Sequence, residues 1–191
     1  LGRITNVTDT LGRLIVFNYD SNANLLSITQ GWNGQTSHQW VSFGWSTRTM
    51  QSSFSGAAVV GIKNGTVLPV ITQVALNDTS HFTFDYTNSL QLWVVKNYFG
   101  TLERNATTFN YETPAGDAPR LLSSGISARN WTGFNNVPAQ VTTQYSVDGN
   151  GVCSLTAPDG TVYKEYYGTG WQRGLTVRSE VVVGGNVKKR A

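Results

Sequence analysis

Residues 7 to 29 read VTDTLGRLIVFNYDSNANLLSIT. Leu14, Val16 and Asn18 alternate with Ile15, Phe17 and Tyr19, so apolar groups fall on both faces of an extended segment. That is the pattern of a strand covered on both sides, or of one in a closed sheet. Ahead of it, Asp9-x-x-Gly12-Arg13 carries turn chemistry. The Asp9 carboxylate can accept backbone N–H groups, Gly12 can take the positive φ of a tight reversal, and Arg13 opens the strand. Behind it, Asp20 to Asn24 forms a second turn, because Asp and Asn tolerate positive φ and bond their own backbone. Leu25 to Gln30 returns as the partner strand, and Gly31-Trp32-Asn33-Gly34 offers the Asn-Gly pair of a further hairpin. Tyr19 ends its strand, where its ring is expected to pack on the next hairpin and its hydroxyl to reach water or a backbone group.

The pattern recurs. Ile4/Ile71, Thr5/Thr72, Val7/Val74, Phe17/Phe84, Tyr19/Tyr86, Leu25/Leu92 and Ile28/Val95 all share one constant offset. Phe109-Asn110-Tyr111 repeats the Phe17-Asn18-Tyr19 triplet, and Ala157-Pro158-Asp159-Gly160-Thr161-Val162-Tyr163 repeats the entry from turn into strand. No stretch of ten or more residues shows the amphipathic period of a helix. The sequence therefore predicts an all-β fold with little or no helix. Successive antiparallel β-hairpins would form an extended, twisted or partly curled sheet, in a single domain over 1–191 with unit-like segments at 4–29, 71–95 and 154–167.

Composition narrows the function classes. Charged residues make up 13 % of the 191 residues, well under the usual ~25 %. Asn, Thr, Ser, Gln and Gly supply the polarity, as in secreted or surface β-proteins. A chain of this length is expected to bury a core and fold as a stable globular unit. The net charge of +3 rests on Lys188-Lys189-Arg190, and no basic stripe interleaved with aromatics runs through the body of the chain, which argues against nucleic acid as a partner. No apolar run approaches the ~20 residues of a membrane helix, and none reads as a signal peptide. Opening on Leu1 without a Met, the chain is expected to be a processed or excised piece of something longer. Cys153 is the only cysteine, and His38 and His81 lack a ligand spacing, so neither a disulfide within one chain nor a metal site is expected.

Asp9-x-x-Gly12-Arg13, Phe17-x-Tyr19-Asp20 and Leu25-x-x-Ile28 together resemble the RHS or YD repeat of bacterial surface and secreted proteins. Ala23-Asn24 stands where the usual repeat has Gly-Asn. The match is clearest at 4–29, fair at 71–95 with Phe84 and Tyr86, and loose at 154–167 with Asp159, Gly160 and Tyr163. The resemblance implies consecutive hairpins winding into a long sheet that encloses a toxin or other cargo, an architectural role. The self-cleaving core of many family members uses Asp-Pro motifs, and this chain contains no Asp-Pro.

Other chemistries weigh less. Asp9, Asp20, Asp78, Asp85, Asp117, Asp148 and Asp159 could supply a carboxylate pair, but all sit in or beside turns, where Asp is common for backbone reasons. No Gly-x-Ser-x-Gly elbow and no phosphate-cradling Gly loop occurs. No enzymatic activity and no cofactor are expected. Trp32, Trp40 and Trp45 are candidate glycan contacts, because an exposed indole stacks on sugar rings. Five Asn-x-Ser/Thr triplets begin at Asn6, Asn64, Asn77, Asn105 and Asn130. Gln140 to Val147 and Val177 to Val183 read as sticky strands able to pair at a sheet edge. The expectation is a non-catalytic, self-assembling subunit of an extracellular filament or tube on a bacterial surface, partnered by copies of itself. The alternatives are a fragment of a larger RHS-type shell, held by flanking repeats, and a polysaccharide-binding surface module.

Overall fold

A computed structural model describes residues 2–31, 37–52, 61–112, 121–128, 141–148 and 150–191. Its strands are β1 (Asn6–Thr8), β2 (Leu14–Tyr19), β3 (Leu25–Gly31), β4 (His38–Thr49), β5 (Val67–Leu76), β6 (Ser80–Tyr86), β7 (Leu92–Phe99), β8 (Leu102–Tyr111), β9 (Leu121–Ala128), β10 (Val141–Val147), β11 (Val152–Thr156), β12 (Val162–Tyr167), β13 (Thr176–Val183) and β14 (Asn186–Arg190). They form one antiparallel sheet in strict chain order, and the only helix among the described residues is a 3-10 turn at Gly170–Gln172. The all-β hairpin fold is what the period of two requires. Chain contacts gather into two units, a first through Ala106 and a second from Thr107, so the division falls inside β8.

One reversal recurs in both units. Counting from its first residue, the first N–H donates to the fifth carbonyl and the fourth N–H to the first carbonyl. Turns starting at Asp9, Asp20, Thr87, Asp148 and Ala157 all do this, with N···O distances of 2.8 to 3.3 Å. The fourth residue takes positive φ in every case: Gly12 at 75°, Ala23 at 71°, Leu90 at 58°, Gly151 at 76° and Gly160 at 81°. This is a three-residue hairpin connection ending in a left-handed residue, the commonest kind after the two-residue loops.

The constant offset between the two sequence units holds in the register itself. Asn6, Val7 and Thr8 pair with Val16, Ile15 and Leu14, and Gln73, Val74 and Ala75 pair with Thr83, Phe82 and His81. Phe17, Asn18 and Tyr19 pair with Ile28, Ser27 and Leu25, while Phe84, Asp85 and Tyr86 pair with Val95, Val94 and Leu92. Both hairpins carry a β-bulge at the step before the tyrosine. Thr79, at the position of Gly12, has φ 72°. Six identical residues and one Ile/Val exchange in the sequence therefore stand for one backbone conformation built twice.

Two expectations are corrected. The chain does not build a deep core. Among the described residues the only buried apolar side chains are Val94, 7 % exposed, and Ala106, 5 % exposed. The reason is topological, since element contacts within each unit run between chain neighbours and leave most apolar groups half-covered. The sticky strands are not edges either. β10 pairs with β9 and β11, and β13 pairs with β12 and β14. The strands with a single neighbour are β1 and β14. β14 holds Lys188, Lys189 and Arg190, all exposed, and charge on an edge strand discourages further pairing.

The turn geometry predicts the sign of two substitutions. Ala23 lies in the left-handed region, which costs a non-glycine residue about 1–2 kcal/mol, partly offset by the greater unfolded-state freedom of glycine. Ala23→Gly is expected to raise the urea midpoint, with a gain of up to about 1 kcal/mol, and Gly12→Ala to lower it. A lowered midpoint in Ala23→Gly contradicts this account.

Candidate structural site: tyrosine anchors, turn carboxylates and the Glu180 cluster

The two aligned hairpins share one long-range hydrogen bond. The Tyr19 hydroxyl donates to the Ile4 carbonyl at 3.0 Å, and the Tyr86 hydroxyl to the Ile71 carbonyl at 2.8 Å. Donor and acceptor both shift by the offset that relates the two sequence units. Each tyrosine reaches back to the chain entering its own hairpin, rather than forward to the next. It thus closes a hairpin whose other end is closed by the turn. Burial raises the Tyr86 phenol pKa above its ordinary value, which keeps the donor protonated. The Arg3 guanidinium lies 5.6 Å over the Tyr19 ring. Phe17 and Phe84 face Ile28 and Val95 on the neighbouring strands. The shorter Phe-Asn-Tyr echo also has a structural counterpart: Asn18 donates to Ser27 at 3.0 Å and Asn110 to Ser123 at 2.9 Å.

The carboxylates serve the reversals. In each of the five turns a side-chain oxygen accepts the N–H of the fifth residue. Asp9 accepts from Arg13 at 3.0 Å, Asp20 from Asn24 at 2.8 Å, Thr87 from Gln91 at 3.1 Å, Asp148 from Val152 at 2.9 Å and Asp159 from Thr161 at 2.8 Å. Asp9 also pairs with the Arg13 guanidinium, which explains why Arg follows Gly12. Asp20 is held further by the Asn24 carboxamide at 2.9 Å. Asp78 accepts from the Ser80 N–H at 3.0 Å and from its hydroxyl. These donors hold Asp9, Asp20, Asp78 and Asp159 below the usual carboxylate pKa, led by the Arg13 N–H, the Asn24 side chain, the Ser80 hydroxyl and the Thr161 N–H respectively. Asp85 lies 4.0 Å from Arg48, and Asp117 falls outside the described residues.

The loose third unit keeps the turn and changes the anchor. Asp159 and Gly160 form the reversal, but Tyr163 points largely to solvent. Tyr167 donates instead to Glu165 at 2.8 Å, and that carboxylate raises the phenol pKa.

A cluster the sequence reading did not single out holds β14. Glu180 in β13 is 5 % exposed. It accepts from the Tyr166 hydroxyl at 2.7 Å, from Arg190 at 2.7 and 2.8 Å and from Arg178 at 3.2 Å. The Arg178 guanidinium lies 3.7 Å over the Tyr166 ring. Cross-strand register sets this up, since Arg178 faces Tyr166 and Glu180 faces Arg190. The Tyr166 hydroxyl foremost, then Arg190 and Arg178, hold the Glu180 pKa below its ordinary value against the cost of burial. The available signal was Arg178-Ser179-Glu180, two opposite charges on one strand face, with a basic segment one hairpin later.

The candidate glycan tryptophans separate. Trp40 is exposed, Trp45 is half-buried with its N–H donated to the Leu25 carbonyl at 2.8 Å, and Trp32 lies outside the described residues, as do the Gly31-to-Gly34 turn beyond Gly31 and the Asn130 triplet. His81 stacks on Tyr98 at 4.6 Å between centroids, and His38 packs edge-on against Trp40 at 4.5 Å. No group of three or more metal-ligating side chains occurs among the described residues, and no helix there is long and apolar enough to cross a membrane.

No family model and no curated protein matches the chain. Solved structures do. The crystal structure of TcdB2-TccC3-Cdc42 is similar at 14 % identity and a TM-score of 0.60 over 97 % of this chain, and that of TcdB2-TccC3-TEV at 15 % identity and 0.59 over 95 %. The chain spans 9 % of the length of each. At this identity the likeness is one of fold, and it supports an RHS-like β-sheet fold for this chain.

Tyr86→Phe is expected to cost about 1 kcal/mol of unfolding free energy, and Tyr19→Phe less because its bond is more exposed to water. Equal, negligible losses in both show that the anchors carry no stability. Glu180 has a second consequence. A carboxylate with a depressed folded pKa contributes stability that is present above its unfolded pKa and disappears as pH falls through the folded value. The gap in unfolding midpoint between the native chain and Glu180→Gln is therefore expected to be full at neutral pH and to narrow once pH drops below the ordinary 4.5. A gap unchanged into strong acid contradicts the charge-based clamp.

Proposed function

We propose that this chain is a non-catalytic wall segment of a larger RHS-type β-shell in an extracellular or cell-surface protein, with flanking repeats as its partners. The observation that carries this reading is a hairpin unit built twice in identical register, in a sheet with a single-neighbour strand at each end. A sheet of that kind continues by adding the next hairpin. The fold likeness to TcdB2-TccC3, of which the chain spans only 9 %, supports the same reading. The non-catalytic assignment draws support from the turn carboxylates, each of which holds a backbone N–H of its own turn through Oδ1.

Assembly of sister copies into a filament uses the same two sheet ends, and the charges disfavour it. Joining β14 to β1 brings Lys188, Lys189 and Arg190 against a three-residue strand flanked by Arg3 and Asp9, a pairing without a matching acidic row. Light scattering across a concentration series, with negative-stain electron microscopy of the same samples, tests the choice. A wall segment gives monomers or irregular association without a fixed repeat. Regular filaments or tubes overturn it in favour of self-assembly.

A further inference from the structure

The indole of Trp40 stands open in the first unit, with 52 % of its surface exposed. A large exposed aromatic can be an accident of a half-covered sheet, and Trp93 and Trp171 are exposed as well. Trp40 differs in being held in place. Its N–H donates to the Gln30 side-chain oxygen at 2.9 Å, and His38 packs edge-on against it at 4.5 Å between centroids. The Asn77 carboxamide nitrogen lies 3.4 Å from His38 Nε2.

These groups converge from three strands. Gln30 in β3 faces His38 in β4, and Val41 in β4 faces Leu76 at the end of β5, which brings Asn77 beside Trp40. His38, Trp40, Leu76, Asn77 and Asp78 line a depression of about 340 Å³. The volume is at the scale of one or two sugar rings rather than of a folded partner. An apolar plate is flanked by a carboxamide, an imidazole and a carboxylate, groups that can donate to or accept from hydroxyls.

We infer that Trp40, with His38, Asn77 and Asp78 at its rim, is a binding site for a neutral pyranose of an oligosaccharide. The indole takes the C–H face of the sugar ring, and the rim side chains bond its hydroxyls. The prior fixation of the indole by Gln30 and His38 lowers the ordering cost of binding. Charge selects against acidic sugars. Asp78 is the charged side chain in the lining, and its carboxylate is already engaged by Ser80. A sulfate or uronate placed there would meet like charge, with no lysine or arginine among the described lining residues to answer it.

Isothermal titration calorimetry of the full chain with cellohexaose, mannohexaose and chitohexaose, each against a heparin fragment of similar length, tests this. Saturable binding to at least one neutral oligosaccharide is expected. Trp40→Ala is expected to weaken it about tenfold or more, Trp40→Phe and Asn77→Ala to weaken it less, and Trp93→Ala to leave it unchanged. Trp40 is a surface side chain, and the two milder variants cover the case in which its truncation disturbs the strand. Absence of binding to all three neutral oligosaccharides overturns the inference. So does binding that survives Trp40→Ala, or heparin binding that Trp40→Ala abolishes.

Discussion

In every one of the five reversals a side-chain oxygen meets the fifth N–H, which the hairpin ladder leaves over. Asp9, Asp20, Thr87 and Asp148 do so from the first position, and Asp159 from the third. A capped reversal fixes loop length and twist, loop length and twist fix register, and register places the tyrosine within reach of the carbonyl it bonds. The cap and left-handed residue at Asp20 and Ala23 recur as Thr87 and Leu90, and the bulge and the Tyr19 and Tyr86 anchors recur with them at the same spacing. The β1–β2 hairpin is thus closed by local bonds at both ends, the Asp9 turn at one and the Tyr19 anchor at the other.

A fold assembled this way does not depend on a deep core. Its strands touch chain neighbours, so stability accumulates hairpin by hairpin, as in other repeat architectures. The half-covered apolar groups on the sheet faces follow from that, as does the need to manage the two end strands. At the far end the solution is electrostatic. Glu180, buried between Tyr166, Arg178 and Arg190, ties β14 to β13 while Lys188 and Lys189 stay in water. The same clamp makes the last strand part of the sheet rather than a basic tail.

Much of this is legible in the residues. The alternation at Leu14 to Tyr19, the Asp-x-x-Gly turn and the constant offset define the all-β class and the hairpin order, because period and turn chemistry are local properties. Gly12 and Gly160 show their conformation in their names, whereas Ala23, Thr79 and Leu90 adopt positive φ with nothing in their identity to announce it. The tyrosine hydroxyls reach backbone groups as expected, but the sequence pattern does not name which carbonyl, since Ile4 and Ile71 lie 15 residues back along the chain. The sheet edges escape local reading for a similar reason. Val177 to Val183 looks adhesive in isolation, but strand order is non-local, and the basic segment after it supplies the missing neighbour. Composition also suggests a buried core that a sheet joined only neighbour to neighbour does not form.

Amide hydrogen exchange followed by nuclear magnetic resonance reads out whether one hairpin unit is built twice in a sheet with an open strand at each end. Matched protection is expected at equivalent positions of β2–β3 and β6–β7, with fast exchange along the outward side of β1 and β14. Uniform protection across the whole sheet, with β1 and β14 as slow as β6, would contradict that arrangement and point to ends that are already occupied.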